Sequence, residues 1–414
     1  MALSAKVGSF ALNTVTGNQA ITGVGFQPKL VILFGIRVTA DGNAVSCEKM
    51  FGVGISSTDR RATMSSSVDA VTPQQARRGM DNTRCIAYNN AATAEGVADF
   101  VSQDADGFTI NITAAPTSGW IVNYLALGGA DLTNVSDIAF AMPTVAGNAA
   151  FTGFGFAPDA FWLHALAGTT ENAALGSSTH RPCLGWASGL TSRGALGFLH
   201  TNGGAAADTS RRQGTNRCFI QPTGGAVRSD ADIVSFDADG ATLNWVTVGG
   251  VADFVYGLGF KGGTFKAGSF TSSTGVGNTG VTGVGFTPVA IVLMSFANIA
   301  AAGTIVSARG GFGVASSATA RATIANGDTD AANPSVVDSR LDRTKMLTML
   351  TEGTPTVTDE YDLVSFDADG FTYNHVTAGG VAHEILYFAF GSTGVPQPDT
   401  VEGMPRFVRR PAFG

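Results

Sequence analysis

The chain has 414 residues, 54 of them glycine, and a formal net charge of −7 at pH 7. Only 14% of residues are charged, against ~25% in a usual globular domain, and the acidic balance argues against a nucleic-acid-binding body. Glycine, threonine, serine, valine and phenylalanine are abundant and helix-forming runs few, which predicts short strands joined by tight turns.

The chain opens with Met1-Ala2-Leu3-Ser4-Ala5-Lys6-Val7, which lacks an apolar run long enough for a secretory signal. A strand is predicted over Ser9–Leu12, a turn at Thr16–Gln19, and a returning strand over Ala20–Thr22. The corner Gly23-Val24-Gly25-Phe26-Gln27-Pro28 follows. Proline has no N–H to give a ladder, so the next strand must start beyond it. Leu30 to Val38 is nearly all apolar and reads as a strand buried on both faces. Strands follow near Met50–Ile55, Arg84–Tyr88 and Asp99–Ser102, with Pro73–Gly79 the one place suited to a helical turn. After Asp104-Ala105-Asp106-Gly107, Phe108, Ile110 and Ile112 alternate with polar residues, the signature of a half-exposed strand. Trp120–Leu125 closes the unit.

This unit occurs three times. The corner returns at Gly153–Pro158 and Gly283–Pro288, and the Asp-Ala-Asp-Gly turn at 237–240 and 367–370. A period near 130 is domain-sized, so each unit is expected to bury its own core. The expected architecture is all-β: three tandem antiparallel β-sandwich, jelly-roll-like modules over 1–130, 131–263 and 264–391. An extended arm over 392–414 follows. It is rich in proline and carries Arg406, Phe407, Arg409, Arg410 and Phe413. Sandwich edges need covering, and neighbouring modules are the available cover. The longest apolar stretch, Val289 to Ala302, is interrupted by Ser295 and Asn298 and falls short of the roughly 20 residues that span a bilayer. No membrane insertion is expected.

Two chemistries suit Asp-Ala-Asp-Gly: a calcium loop, or a hairpin turn in which glycine supplies positive φ. No glutamate sits at the twelfth loop position and a strand begins at once, which favours the turn. Arg60, Arg193 and Arg321 recur in register, as do Asp99, Asp232 and Asp362. Such pairs read as structural struts in every copy rather than a triplicated catalytic pair. A second basic set is Arg77 and Arg78, Arg211 and Arg212, and Arg340 with Arg343. It falls in the long polar segment of each module, where it either meets a ligand or pairs with local acids such as Asp81 and Asp342. The cysteines, Cys47 with Cys85 and Cys183 with Cys218, read as buried thiols, neighbours within each module. The five histidines, His164, His180, His200, His375 and His383, share no repeat position and show no metal or nucleophile spacing. No catalytic, metal or cofactor-binding residue is expected, and the protein reads as a non-enzyme.

Taken together, Ile/Val-Thr-Gly-Val-Gly-Phe-x-Pro, the buried strand after it, and Ser-Phe-Asp-Ala-Asp-Gly-Phe-Thr-x-Asn resemble repeats of tailed-bacteriophage and prophage structural proteins. The resemblance covers about residues 7–391 and implies a virion component: a tail, fibre or head-decoration protein made in the host cytoplasm. Its implied partners are other virion proteins, capsid or tail, with no nucleic acid. The first reading is a capsid-decoration protein anchored by the arm. The alternative is a tail or fibre component that binds host surface glycan, with Trp120, Trp186 or Tyr373 as stacking platforms. A glycosidase is the weakest reading, since no carboxylate pair is placed for it.

Overall fold

The computed structural model describes residues 2–90, 93–172, 176–297 and 303–393. The fold is all-β, with antiparallel pairing throughout and no helix among the described residues. The helical turn expected near Pro73 is absent, because Ala76–Asp81 is already a strand. In the first module the strands are β1 (Leu3–Ala11), β2 (Gly17–Thr22), β3 (Pro28–Ile36), β4 (Gly42–Val45), β5 (Cys47–Gly54) and β6 (Arg60–Ser67). Then come β7 (Ala76–Asp81), β8 (Ile86–Asn90), β9 (Thr93–Asp104), β10 (Gly107–Ala114) and β11 (Ile121–Gly129). One sheet runs β1-β11-β3-β5-β6-β7 and the facing sheet β2-β10-β9-β8. The first strand pairs with the last and the second with the second-last, the nesting of a jelly roll. The remaining strands of both sheets form meanders. The second and third modules repeat this plan strand for strand.

The two recurrent motifs turn out to be partners. Asp104 closes the β9–β10 hairpin by accepting from Ser102 Oγ at 2.8 Å and Thr109 Oγ1 at 2.7 Å. Asp106 reaches across to the glycine corner and accepts from the Gly23 and Gly25 amides at 3.1 and 2.6 Å. Those amides point at one carboxylate because both glycines take positive φ, +83° and +88°. The same clasp joins Asp239 to Gly153 and Gly155, and Asp369 to Gly283 and Gly285. The Gly283 amide, then the Gly285 amide, hold the exposed Asp369 carboxyl below its ordinary range. Each carboxylate is thus engaged by donors of the chain itself, as a turn requires. Gly370 has φ +145°, and a Cβ there would lie 2.0 Å from the Val281 carbonyl oxygen. Gly370→Ala should therefore cost about 1 kcal/mol or more in a urea melt. An unchanged midpoint would show that the turn tolerates a side chain.

Strand β3 carries the architecture. Val31 and Leu33 face the first module's own sandwich core, with Phe100, Phe108 and Tyr124. Leu30, Ile32 and Phe34 face the other way, into a cluster fed by all three modules. The second module sends Trp162, Trp186 and Phe260 there, and the third Val292, Phe388 and Phe390. Trp162 touches Trp186, Phe260, Phe388 and Phe390 with ring centroids 5.5–5.9 Å apart. Three sandwiches therefore stand around one common core. Each unit buries its own core, as expected, but it is not self-contained: each large sheet has a second buried face that only the other modules cover.

Strand exchange closes the ring. β4 joins neither sheet of its own module but pairs with Val336–Asp342 of the third. Gly176–Ser177 of the second module pairs with β7 of the first, and Ile305–Val306 of the third with Thr209–Gly214 of the second. Every module donates one short strand and receives one, so the meander edge of each large sheet is covered.

The four cysteines are free and buried. Cys183 and Cys218 share the second module's core, as expected for neighbours. Cys47 and Cys85 do not: Cys85 lies in the first module's core, while Cys47 pairs across strands with Ser67 near the common axis.

Candidate functional site

The six arginines expected in polar loops lie instead at or beside the exchange seams, a correction that follows from β7 and its counterparts being strands. Arg77 and Arg78 pair through their backbones with Ser177 and Gly176, and Arg78 Nη1 donates to the Thr179 carbonyl at 2.6 Å. Arg211 donates to the Val306 and Ser307 carbonyls at 2.8 and 2.6 Å, and meets Glu352 at 3.1 Å. Arg212 reaches Thr304 Oγ1 at 3.2 Å. Arg340 donates to Asn43 Oδ1 at 3.0 Å and pairs with Asp342 at 2.8 Å. Arg343 pairs with Asp41 at 2.8 Å. Burial lowers the pKa of Arg78 and Arg211, and carbonyls of the neighbouring module satisfy their donors. The basic set thus clamps one module to the next.

The recurrent Arg–Asp struts form in two copies. Arg193 meets Asp232 at 2.5 Å and Arg321 meets Asp362 at 3.3 Å. In the first module Asp99 pairs with Arg84 at 3.4 Å, and the Arg60 guanidinium donates to the Thr83 carbonyl.

Where the modules meet, unlike residues occupy like positions. Ser67, His200 and Asp328 are each the eighth residue of the strand beginning at Arg60, Arg193 or Arg321. Their cross-strand partners are Cys47, His180 and Ala308. All six are buried. His200 Nδ1 lies 2.9 Å from Asp328 Oδ2, His180 Nε2 lies 3.2 Å from Ser67 Oγ, and the two imidazoles stack at 4.5 Å. His200 and Asp328 are equivalent positions of two modules in direct contact, which puts this cluster beside the pseudo-threefold axis. Burial drives His200 down to about 3 and Asp328 up to about 7. No repeat position holds two histidines, so the signal for this cluster lies elsewhere in the sequence, in three different residues at one repeat position.

The other histidines are also structural. His375 and His383 flank Asp359 of the third module at 3.1 Å each. Burial raises the Asp359 carboxyl, but hydrogen bonds from His383 and the Gly379 amide outweigh it and hold it down at about 2. His164 sits within hydrogen-bond reach of Thr63 Oγ1, 3.0 Å from Nδ1. Trp120, Trp186 and Tyr373 are 4%, 0% and 0% exposed, so none is a platform for a sugar ring. The arm residues Arg406, Phe407, Arg409, Arg410 and Phe413 lie outside the described residues.

No family model matches the chain, nor does any curated protein. Among solved structures, it aligns with one described as "The Triple Jelly Roll Fold and Turret Assembly in an Archaeal Virus" at 10% identity, over 94% of this chain and 90% of that one, with a TM-score of 0.14. Pseudomonas aeruginosa OccD3 (OpdP) aligns at 8% identity over 92% and 95%, TM-score 0.11. OmpT, an outer membrane protein of Vibrio cholerae, aligns at 11% over 93% and 97%, TM-score 0.10. Scores this low assign neither fold nor function.

Proposed function

We propose that this chain is a non-enzymatic structural protein of a tailed-bacteriophage particle, docked on the head surface as a capsid-decoration protein. The observation that carries this reading is the closed exchange of strands among three equivalent modules around one core. One chain thereby presents the outline of a trimer, the shape suited to a local threefold of a shell. Among the described residues, the recurrent arginines from Arg60 to Arg343 are engaged in seams and struts within the chain, which suits a passive coat. The tail-fibre reading loses its aromatic platforms to the interior. The docking partner is then another virion protein, with the arm over 392–414 as anchor: aromatics supply buried area and arginines meet acidic groups.

Two measurements test this. Electron cryomicroscopy of particles carrying a labelled copy should place density over head threefolds; density confined to the tail overturns the head assignment. Deleting residues 396–414 should leave the melting transition unchanged while incorporation into particles fails. Normal incorporation would move the attachment to the sandwich faces.

A further inference from the structure

A cavity of about 100 Å³ is lined by all three modules where they meet about the pseudo-threefold axis, and its wall residue Phe198 lies with its ring 6.3 Å from that of His200. Its walls come from equivalent positions of the three modules, among them Phe51, Leu184 and Phe312 in one layer and Leu196 and Ile324 in the next. Native cores leave few voids larger than a water molecule, and a mostly apolar wall offers water few partners. The void follows from the repeat itself. Positions that would match in a symmetric trimer carry Ser65, Phe198 and Asn326 here, so volumes do not balance around the axis.

One cationic side chain stands in this wall. Lys49 Nζ donates to Asn326 Oδ1 at 2.5 Å and lies 4.9 Å from the centroid of the Phe198 ring. Among the described residues it forms no ion pair within 4.0 Å, although its charge acts from further off on the buried Asp328 carboxyl. An ammonium has three donors, and one is accounted for. His164, also in the wall, lies with Nδ1 3.0 Å from Thr63 Oγ1. An apolar chamber with a cation at one side is the arrangement that receives an amphipathic anion.

We infer that the axial cavity is a binding site for a small aliphatic carboxylate, its chain against Leu196 and Ile324 and its carboxylate on Lys49. The size limits the chain to a few carbons. The inference is independent of the virion reading, since it rests on the cavity alone.

Butyrate is the probe and 1-butanol its neutral counterpart, titrated into the full chain with methyl-labelled leucine and isoleucine. Saturable shifts of the Leu196 and Ile324 methyls are expected with butyrate below about 50 mM, the weak affinity of so small a ligand. Lys49→Met should weaken butyrate by about tenfold or more, the loss of a charge-assisted hydrogen bond, and leave 1-butanol within about twofold. Leu196→Phe, which fills the space, should abolish both. Absence of saturable shifts in the wild-type chain overturns the proposal without any variant. So does equal binding of butyrate and 1-butanol, which would make the cavity a site for apolar molecules only.

Discussion

Residues 131–263 produced as a separate chain will show no cooperative unfolding transition, and nor will 1–130 or 264–391. Each fragment keeps its own sandwich core but bares its share of the common one. For the second module that share includes Trp162, Leu184, Trp186, Phe198, Leu258 and Phe260. At roughly 2 kcal/mol for each large apolar side chain, exposing six removes on the order of 12 kcal/mol, about the whole net stability of a domain. The fragment also loses the Ile305–Val306 strand that covers its sheet edge. The intact chain should melt in one transition with calorimetric and van't Hoff enthalpies equal. A sharp, reversible melt from any isolated module would show that its inner core suffices and that the common core is a secondary contact.

Acid should weaken the protein through His164, and the difference between wild type and His164→Gln should display it. Burial pushes the His164 imidazole down to about 3, so the unfolded chain takes up a proton near pH 6.5 that the folded chain refuses. Stability then falls as pH drops below 6.5, by up to about 1.4 kcal/mol per pH unit, until the folded pKa is reached. Between pH 6.5 and 5 the expected loss is about 2 kcal/mol. His180, pushed well down by burial and then by His200 and Lys49, acts in the same direction. Several acids act oppositely: burial raises Asp137, Asp338 and Asp328, which gain protons on folding. The His200–Asp328 pair nearly cancels, holding about one proton between pH 4 and 6.5 whether folded or unfolded. In total stability these opposite terms partly offset one another, whereas the variant difference isolates one imidazole. Parallel curves for the two proteins would mean that His164 reaches solvent through the cavity it lines.

The sequence made the repeat, the strands and the hairpin turn readable because all three depend on local chemistry. Glycine with positive φ, proline at a strand entry and alternating apolar residues each mark a position by themselves. Leu30–Phe34 even declared that both faces of β3 are covered. It did not say by what, since an inward face looks the same whether a sister sheet or another module packs against it. The exchanged strands were unreadable for a different reason. Gly176–Ser177 and Ile305–Val306 have two residues each, too short for any periodicity. Without them, Arg77, Arg78, Arg211 and Arg212 looked like solvated loop residues. The register pairs Arg60 with Asp99, but in the first module Asp99 meets Arg84 instead. A cation at the position of Arg84 does not by itself explain this, since Arg217 and Lys345 stand there in the other modules and the strut still forms.

The direction of the strand exchange has a consequence for synthesis on the ribosome. Donation from the second module to the first, and from the third to the second, links neighbours along the chain and can follow elongation. The remaining seam is different, because β4 emerges among the first 45 residues while its acceptor, Val336–Asp342, leaves the ribosome almost 300 residues later. At ~5–20 residues per second this is a wait of roughly 15–60 seconds. Throughout it the inner face of the first sheet, with Leu30, Ile32 and Phe34, has only part of its final cover. The nascent chain is therefore a client for a holding chaperone until the third module closes the circle, and truncated translation products should be the species that aggregate.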